Sequence, residues 1–184
     1  MQQHGITTEM GAAASAAFNA SELISLALKN TYKIECFDAD GNLKWEETVV
    51  NLICTGGATD LLSKYFKGST YTAAWYVGIY KGTGTLSTAD TMASHAGWTD
   101  STDYSNSVRP TLTLGTPSGG SVDNSASPAV FNINATATIL GAFIVSDSTK
   151  GGTTGILYGE AAFGASRSVN SGDTLNVTCT LTAS

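Results

Sequence analysis

Charged side chains are scarce in this 184-residue sequence. Asp, Glu, Lys and Arg make up 13% of it, about half the share usual for a soluble domain. Only nine are Lys or Arg, and they form no cluster that could follow a phosphate backbone. Together with a net charge of -6, this argues against nucleic acid as a partner. The neutral, hydroxyl-rich composition suits a protein that packs against other proteins, and 42% hydrophobic residues argue against disorder.

Cysteine is also rare. Cys36, Cys54 and Cys179 are the three cysteines, and an odd number leaves at least one thiol free. No pair has the CxxC spacing of a redox or zinc site. Each cysteine lies in an alternating apolar run, so we expect buried side chains, and a Cys36–Cys54 disulfide across a hairpin stays open.

Long apolar runs are missing. No stretch is long enough to span a membrane. The first residues, MQQHGITTEMGAAASAAF, have neither the basic region nor the apolar core of a signal peptide. We therefore expect synthesis in a cytoplasm and no membrane partner.

The stretch DTMASHAGWTD, residues 90–100, contains the residue types of a catalytic triad. Ser94 and His95 are neighbours, and adjacent side chains on an extended backbone point to opposite faces. The GxSxG turn that commonly presents a catalytic serine is absent. Asp90 or Asp100 could orient the imidazole, but acidic residues are common in polar loops. We expect no catalytic residues here.

A structural role explains this loop better. Three of its residues, Met92, His95 and Trp98, are expected to pin it onto the rest of the fold, while its polar residues satisfy the backbone.

The sequence predicts no metal and no cofactor. His4 and His95 are the only histidines, and neither lies in an HxH or HxxxH pattern. Asp38, Asp40 and Asn42 resemble the start of a calcium loop, but the glycine comes one place early and the closing glutamate is missing. A hairpin turn is favoured there. The glycine-bearing stretches KGTGT, TGG and TKGGTTG match no phosphate-binding fingerprint.

Carbohydrate binding and cleavage are weaker alternatives. Trp45, Trp75 and Trp98 could form a sugar platform, but packing in the core or an interface is favoured. Paired carboxylates from distant strands stay open for glycoside cleavage. The adjacent Glu46 and Glu47 are better explained as a solvent-facing edge strand.

Residues 1–30 differ from the remainder and are predicted to form an Ala-rich N-terminal arm. Asn19 or Ser21 could cap a short helix that runs to Lys29. Such a helix is marginal alone and needs a surface to lie on. The residues expected to make this interface are Phe18, Leu23, Ile24, Leu26 and Leu28.

Residues 31–184 are predicted to form an all-β, jelly-roll-like β-sandwich. YKIECF, DADGN and LKWEETVV indicate a β-hairpin. One short helix is expected at about 58–67, capped by Thr59 or Thr55 and stopped by Gly68, and its apolar side is formed by Leu61, Leu62, Tyr65 and Phe66. Strands are expected in TAAWYVGIYKG, RPTLTLG, FNINATATI, LGAFIVSDS, GILYGEAAF and DTLNVTCTLTAS. About six to eight strands with Gly, Ser and Thr turns are typical of a sandwich or jelly roll.

Four stretches in combination resemble a known family. They are YKIECFDADGNLKWEETVVNLICTGGATDLLSKYFKG with YTAAWYVGIY, then ADTMASHAGWTD, then ASRSVNSGDTLNVTCTLTAS. They are similar to small virion structural proteins of tailed bacteriophages, the jelly-roll capsid decoration or cement proteins. The resemblance covers roughly residues 31–184 and leaves the arm out.

The resemblance implies a non-enzymatic protein on the capsid surface that bridges and stabilises capsomers. Its implied partners are the major capsid protein and further copies of itself, as a dimer or trimer, and it implies no catalytic residues. The arm is then expected to lie across a neighbouring subunit. The alternative is a tail, collar or fibre component, with or without host-glycan binding.

Overall fold

The computed structural model describes residues 28–71, 74–82 and 85–183. These ranges contain ten β-strands and one α-helix. In chain order they are β1 (Leu28–Phe37), β2 (Leu43–Val50), β3 (Leu52–Ile53), α1 (Thr55–Lys67), β4 (Tyr76–Gly82), β5 (Trp98–Asp100), β6 (Ser121–Asp123), β7 (Ala129–Asn132), β8 (Ala137–Val145), β9 (Leu157–Val169) and β10 (Thr174–Ala183).

The strands form two antiparallel sheets. Sheet A has the order β2-β1-β10-β6, and β7 also pairs with β10. Sheet B has the order β3-β9-β8-β4-β5. The first and last strands pair along their whole length, from Leu28 with Ala183 to Phe37 with Thr174. The prediction of an all-β sandwich with one short helix is confirmed.

The main core lies between the sheets. Side chains alternate along a strand, so Tyr32, Ile34 and Cys36 of β1 point inward together with Leu175 and Val177 of β10. Sheet B contributes Val77, Ile79, Ile144 and Phe163. The strict alternation noted in DTLNVTCTLTAS therefore marks a strand with one buried face, as predicted.

The first hairpin also follows the prediction. Asp38 Oδ1 accepts hydrogen bonds from the backbone N–H groups of Asp40, at 3.0 Å, and Asn42, at 2.8 Å. Gly41 has a φ of 83°, a conformation that favours glycine. The Asp38 carboxylate thus stabilises the turn between β1 and β2.

FNINATATI is not one strand, however. β7 ends at Asn132 in sheet A, and β8 begins at Ala137 in sheet B. Phe131, Ile133 and Ile139 are all buried in the shared core. Alternation predicts which side chains face inward, but it cannot show that the chain changes sheets between them. The strand predicted in RPTLTLG is wrong, because this stretch makes only an isolated bridge from Thr111 to Tyr76. Leu112 is buried there as predicted, whereas Leu114 is 37% exposed.

The predicted N-terminal helix does not reach Lys29. Leu28, Lys29 and Asn30 already belong to β1, because they pair with the end of β10. The first strand of the described residues therefore includes positions 28–30, which were predicted to belong to the arm. Leu28 is half-buried and lies in a strand, not in the arm, whereas Phe18, Leu23, Ile24 and Leu26 lie outside the described residues.

Helix α1 starts three residues before the predicted position 58. Its N-cap is Cys54, and no side chain caps it, so the expected capping by Thr55 or Thr59 is wrong. Gly68 ends the helix in the left-handed conformation, with a φ of 65°, as predicted. No helix within the described ranges is long and apolar enough to cross a membrane.

Candidate protein-binding surface

The triad-like loop packs on the face of sheet B that points away from the main core. Met92 and Trp98 are buried there in a second cluster with Tyr80, Phe143 and Leu157. The His95 ring stacks on Trp98 at a centroid distance of 3.6 Å. The predicted anchoring role of Met92, His95 and Trp98 is confirmed.

The polar groups of this loop have separate partners. His95 Nδ1 lies 3.0 Å from the Trp98 carbonyl oxygen. A carbonyl only accepts hydrogen bonds, so Nδ1 must hold a proton. The Ser94 backbone bonds to Thr91, and the Asp100 carboxylate binds Arg109. Among the described residues, no hydrogen bond joins Ser94, His95 and Asp100 into a triad.

Glu160 is a buried carboxyl group that the sequence analysis did not single out. Its Oε2 accepts a hydrogen bond from Trp98 Nε1 at 3.0 Å, and its Oε1 accepts one from the Ser87 N–H at 3.3 Å. The same N–H also donates to Asp90 Oδ2, so the two carboxyl groups adjoin. Burial and the neighbouring Asp90 raise the pKa of Glu160 to about 7. The Glu160 carboxyl group therefore holds the loop against β9 through these two hydrogen bonds.

A second buried polar group joins the end of β5 to the loop between β8 and β9. Arg109 is fully buried, and its Nη2 donates to Asp100 Oδ2 at 2.8 Å. It also donates to the carbonyl oxygens of Asp147, at 2.7 Å, and Gly152, at 2.9 Å. Burial raises the pKa of the Asp100 carboxyl, and the Arg109 charge opposes that shift. The donors of Arg109 are thus used inside the molecule.

The cysteines also lie inside. All three are free and buried, so the possible Cys36–Cys54 disulfide is not formed. Burial raises the pKa of both Cys36 and Cys54 to about 12. A thiol in that state is a poor nucleophile and a poor metal ligand. In the described part of the chain, no three His, Cys, Asp or Glu side chains are grouped to hold a metal ion.

Glu46 and Glu47 lie on β2, which is an edge strand of sheet A, as predicted. They act separately: Glu46 approaches Lys33, whereas Glu47 accepts a hydrogen bond from Arg167 of β9 at 2.8 Å. Of the three tryptophans, Trp98 is buried, and Trp45 and Trp75 are partly buried against the main core. A flat platform of three exposed tryptophans is not formed.

Helix α1 turns its apolar side to solvent. Its buried Gly57 lies so close to β9 that a Cβ atom there would sit 2.5 Å from the Tyr158 carbonyl oxygen. At about 100° per residue, Asp60 and Lys64 fall near Gly57, and they form a 3.5 Å ion pair on that side. Leu62 and Phe66 fall on the far side.

Three large side chains form this outer helix face. Leu62 is 56% exposed, Tyr65 79% and Phe66 73%. The Tyr65 and Phe66 rings contact each other edge to face at 4.9 Å. A contiguous exposed apolar surface usually marks an interaction site in a soluble protein. The outer helix face is the best candidate for binding another protein.

An apolar groove lies between α1 and the sandwich. A cavity of about 190 Å³ is lined by Leu61, Tyr71, Trp75, Tyr158 and Leu181, among others. An adjoining hollow of about 240 Å³ shares Leu61, Tyr158 and Leu181 and reaches Leu28 at the start of β1. We call the two together the end groove. Its residues come from distant parts of the chain, so the sequence offered no signal for it.

Comparison with protein-family models and with curated protein sequences finds no match for this chain.

Proposed function

We propose that this protein is a non-enzymatic structural protein of a tailed-bacteriophage virion. It binds the capsid surface and stabilises neighbouring capsomers, as a decoration or cement protein. The family resemblance of residues 31–184 suggests the setting. The observation that favours a binding role is the outer helix face, where Leu62, Tyr65 and Phe66 are held in solvent by a helix fixed at Gly57.

The way α1 is attached supports this role. A helix that only completed its own fold would turn its large apolar residues inward. Here Gly57, Leu61 and the Asp60–Lys64 pair lie on the sandwich side, whereas the residues of the outer helix face point to solvent. Aromatic residues are enriched among those that dominate protein interfaces.

The internal polar groups support a structural role as well. Arg109, Asp100 and Glu160 bind partners within the chain and fasten loops to the sheets. These hydrogen bonds hold the loops in fixed positions, as is needed in a protein that must resist the separation of capsomers. Many copies of one interface, each of modest affinity, then act together on a shell.

Replacing Leu62 by aspartate is expected to weaken binding to capsids more than tenfold, because a charge would be placed in an apolar interface. Leu62 is more than half exposed, so the fold should be retained. The measurement is cosedimentation of the purified protein with particles that lack it.

Leu43→Asp is the matched control. Leu43 is 51% exposed, and it pairs with Phe37 at the end of β1 that lies farthest from Leu28. The two ends of this strand are roughly 30 Å apart. Normal capsid binding by the Leu62→Asp protein would contradict the proposal. Binding to tail components or to host glycans instead would support the alternative placement.

A further inference from the structure

We propose that the end groove is the binding site of this chain's own N-terminal segment, residues 18–27, which docks within the same molecule. This inference does not depend on the virion setting. It assigns an occupant to a groove that is distinct from the outer helix face.

The first described residue, Leu28, lies at the groove. Leu28 starts β1 and itself lines the hollow at one end of the groove. Leu28, Asn30 and Tyr32 share the inward side of β1 because side chains alternate. Tyr32 and Asn30 are buried, whereas Leu28 is only half-buried. The described residues therefore cover the inner surface of sheet A incompletely beside Leu28.

The segment and the end groove also match in polarity. The segment FNASELISLA, residues 18–27, contains Phe18, Leu23, Ile24 and Leu26 and a single charged residue, Glu22. The groove is lined largely by apolar and aromatic side chains, and its two charged residues, Asp60 and Lys64, pair with each other. Burying a nearly uncharged segment there removes apolar surface from water on both sides at little electrostatic cost.

The segment is joined directly to the groove, since Leu28 is one of the lining residues. Its ten residues span at most about 33 Å when extended. A segment tied to the groove's edge has an effective concentration of the order of millimolar. Docking in the same molecule is therefore favoured over capture of the arm by another subunit, which was the expectation from sequence.

Hydrogen exchange of the full chain, followed by mass spectrometry, tests the proposal. In the wild-type protein we expect the backbone amides of residues 19–27 to exchange at least tenfold more slowly than those of an unstructured peptide. Leu61→Asp places a charge in the groove at a residue that is already 40% exposed, and it should abolish this protection. Leu43→Asp is remote from the groove and should leave the protection intact.

A dilution series decides which molecule supplies the segment. Protection that is unchanged between roughly 1 and 100 μM protein is expected for docking within one chain. Protection that falls on dilution, together with a dimer mass, would overturn the proposal and assign the groove to a second copy. Exchange of residues 19–27 at unstructured rates would overturn it as well and leave the groove to another protein. Neither result bears on capsid binding through Leu62, so the two proposals fail separately.

Discussion

Replacing Arg109 by alanine is expected to lower the free energy of unfolding by about 3–5 kcal/mol, the cost of breaking a buried ion pair. Arg109 is fully buried and binds Asp100 through both Nε, at 3.2 Å, and Nη2, at 2.8 Å. Its guanidinium also lies 5.3 Å from the centre of the Phe143 ring. Urea denaturation at neutral pH measures the loss.

The size of this effect comes from what the substitution leaves behind. The Asp100 carboxylate would stay buried with only the Gly151 N–H, at 2.6 Å, donating to it. The carbonyl oxygens of Asp147 and Gly152 would each lose a charged donor. A buried acceptor without a partner bears its desolvation cost uncompensated.

Arg167→Ala provides the comparison. Arg167 pairs with Glu47 at 2.8 Å, but its side chain is 37% exposed. Pairs of this kind contribute less than about 1 kcal/mol. If Arg109→Ala cost no more than Arg167→Ala, the buried cluster would not hold the loops as described.

Replacing Glu160 by glutamine is expected to stabilise the protein at pH 8 and to change little at pH 4.5. Burial and Asp90 raise the pKa of Glu160 to about 7 in the folded chain, above its ordinary value of 4.5. A glutamine has the shape of the protonated acid, and it retains an acceptor for Trp98 Nε1–H and a donor toward Asp90.

The pH dependence follows from this difference. Below about pH 4.5 the Glu160 carboxyl group of the wild type is protonated in both the folded and the unfolded chain. Its favourable contribution to the free energy of unfolding is then complete. As the pH rises through about 7, the folded chain must accept a buried charge, and that contribution is lost. A pKa difference of this size between the folded and unfolded chains corresponds to at most about 3 kcal/mol in the free energy of unfolding. The Glu160→Gln protein should therefore exceed the wild type in unfolding free energy by up to this amount at pH 8.

Thermal or urea unfolding at several pH values between 4.5 and 8 gives the answer. Glu46→Gln, on the exposed edge strand, serves as the control and should follow the wild-type pH profile. A gap between wild type and Glu160→Gln that is the same at pH 4.5 and pH 8 would show that the pKa of Glu160 is not raised in the folded chain.

Local patterns in the sequence were enough to predict the architecture. Alternation in YKIECF and DTLNVTCTLTAS places Ile34, Val177 and Cys179 on buried faces, and Asp40-Gly41 marks the turn. The same patterns could not show that the chain crosses from sheet A to sheet B between Asn132 and Ala137. Nor could they show that Leu28 pairs with Ala183, since that pairing joins two strands that lie far apart in the sequence.

The candidate site was only partly foreseeable. The apolar residues of α1 were recognised from their spacing, but their orientation depends on Gly57, whose contact with Tyr158 no local pattern reveals. Glu160 offered one signal, a lone acid in the apolar strand GILYGEAAF. Arg109 offered none, because its partners lie elsewhere in the chain, with Asp100 at the end of β5 and both Asp147 and Gly152 in the β8–β9 loop.

The most direct test of the proposed role is the copy number of this chain relative to the major capsid protein in purified particles, measured by quantitative mass spectrometry. A ratio near a simple fraction of the shell's subunits is the result expected of a decoration protein. A handful of copies per particle would contradict that role and place the chain in the collar or tail, and absence from the particle would contradict a virion role altogether.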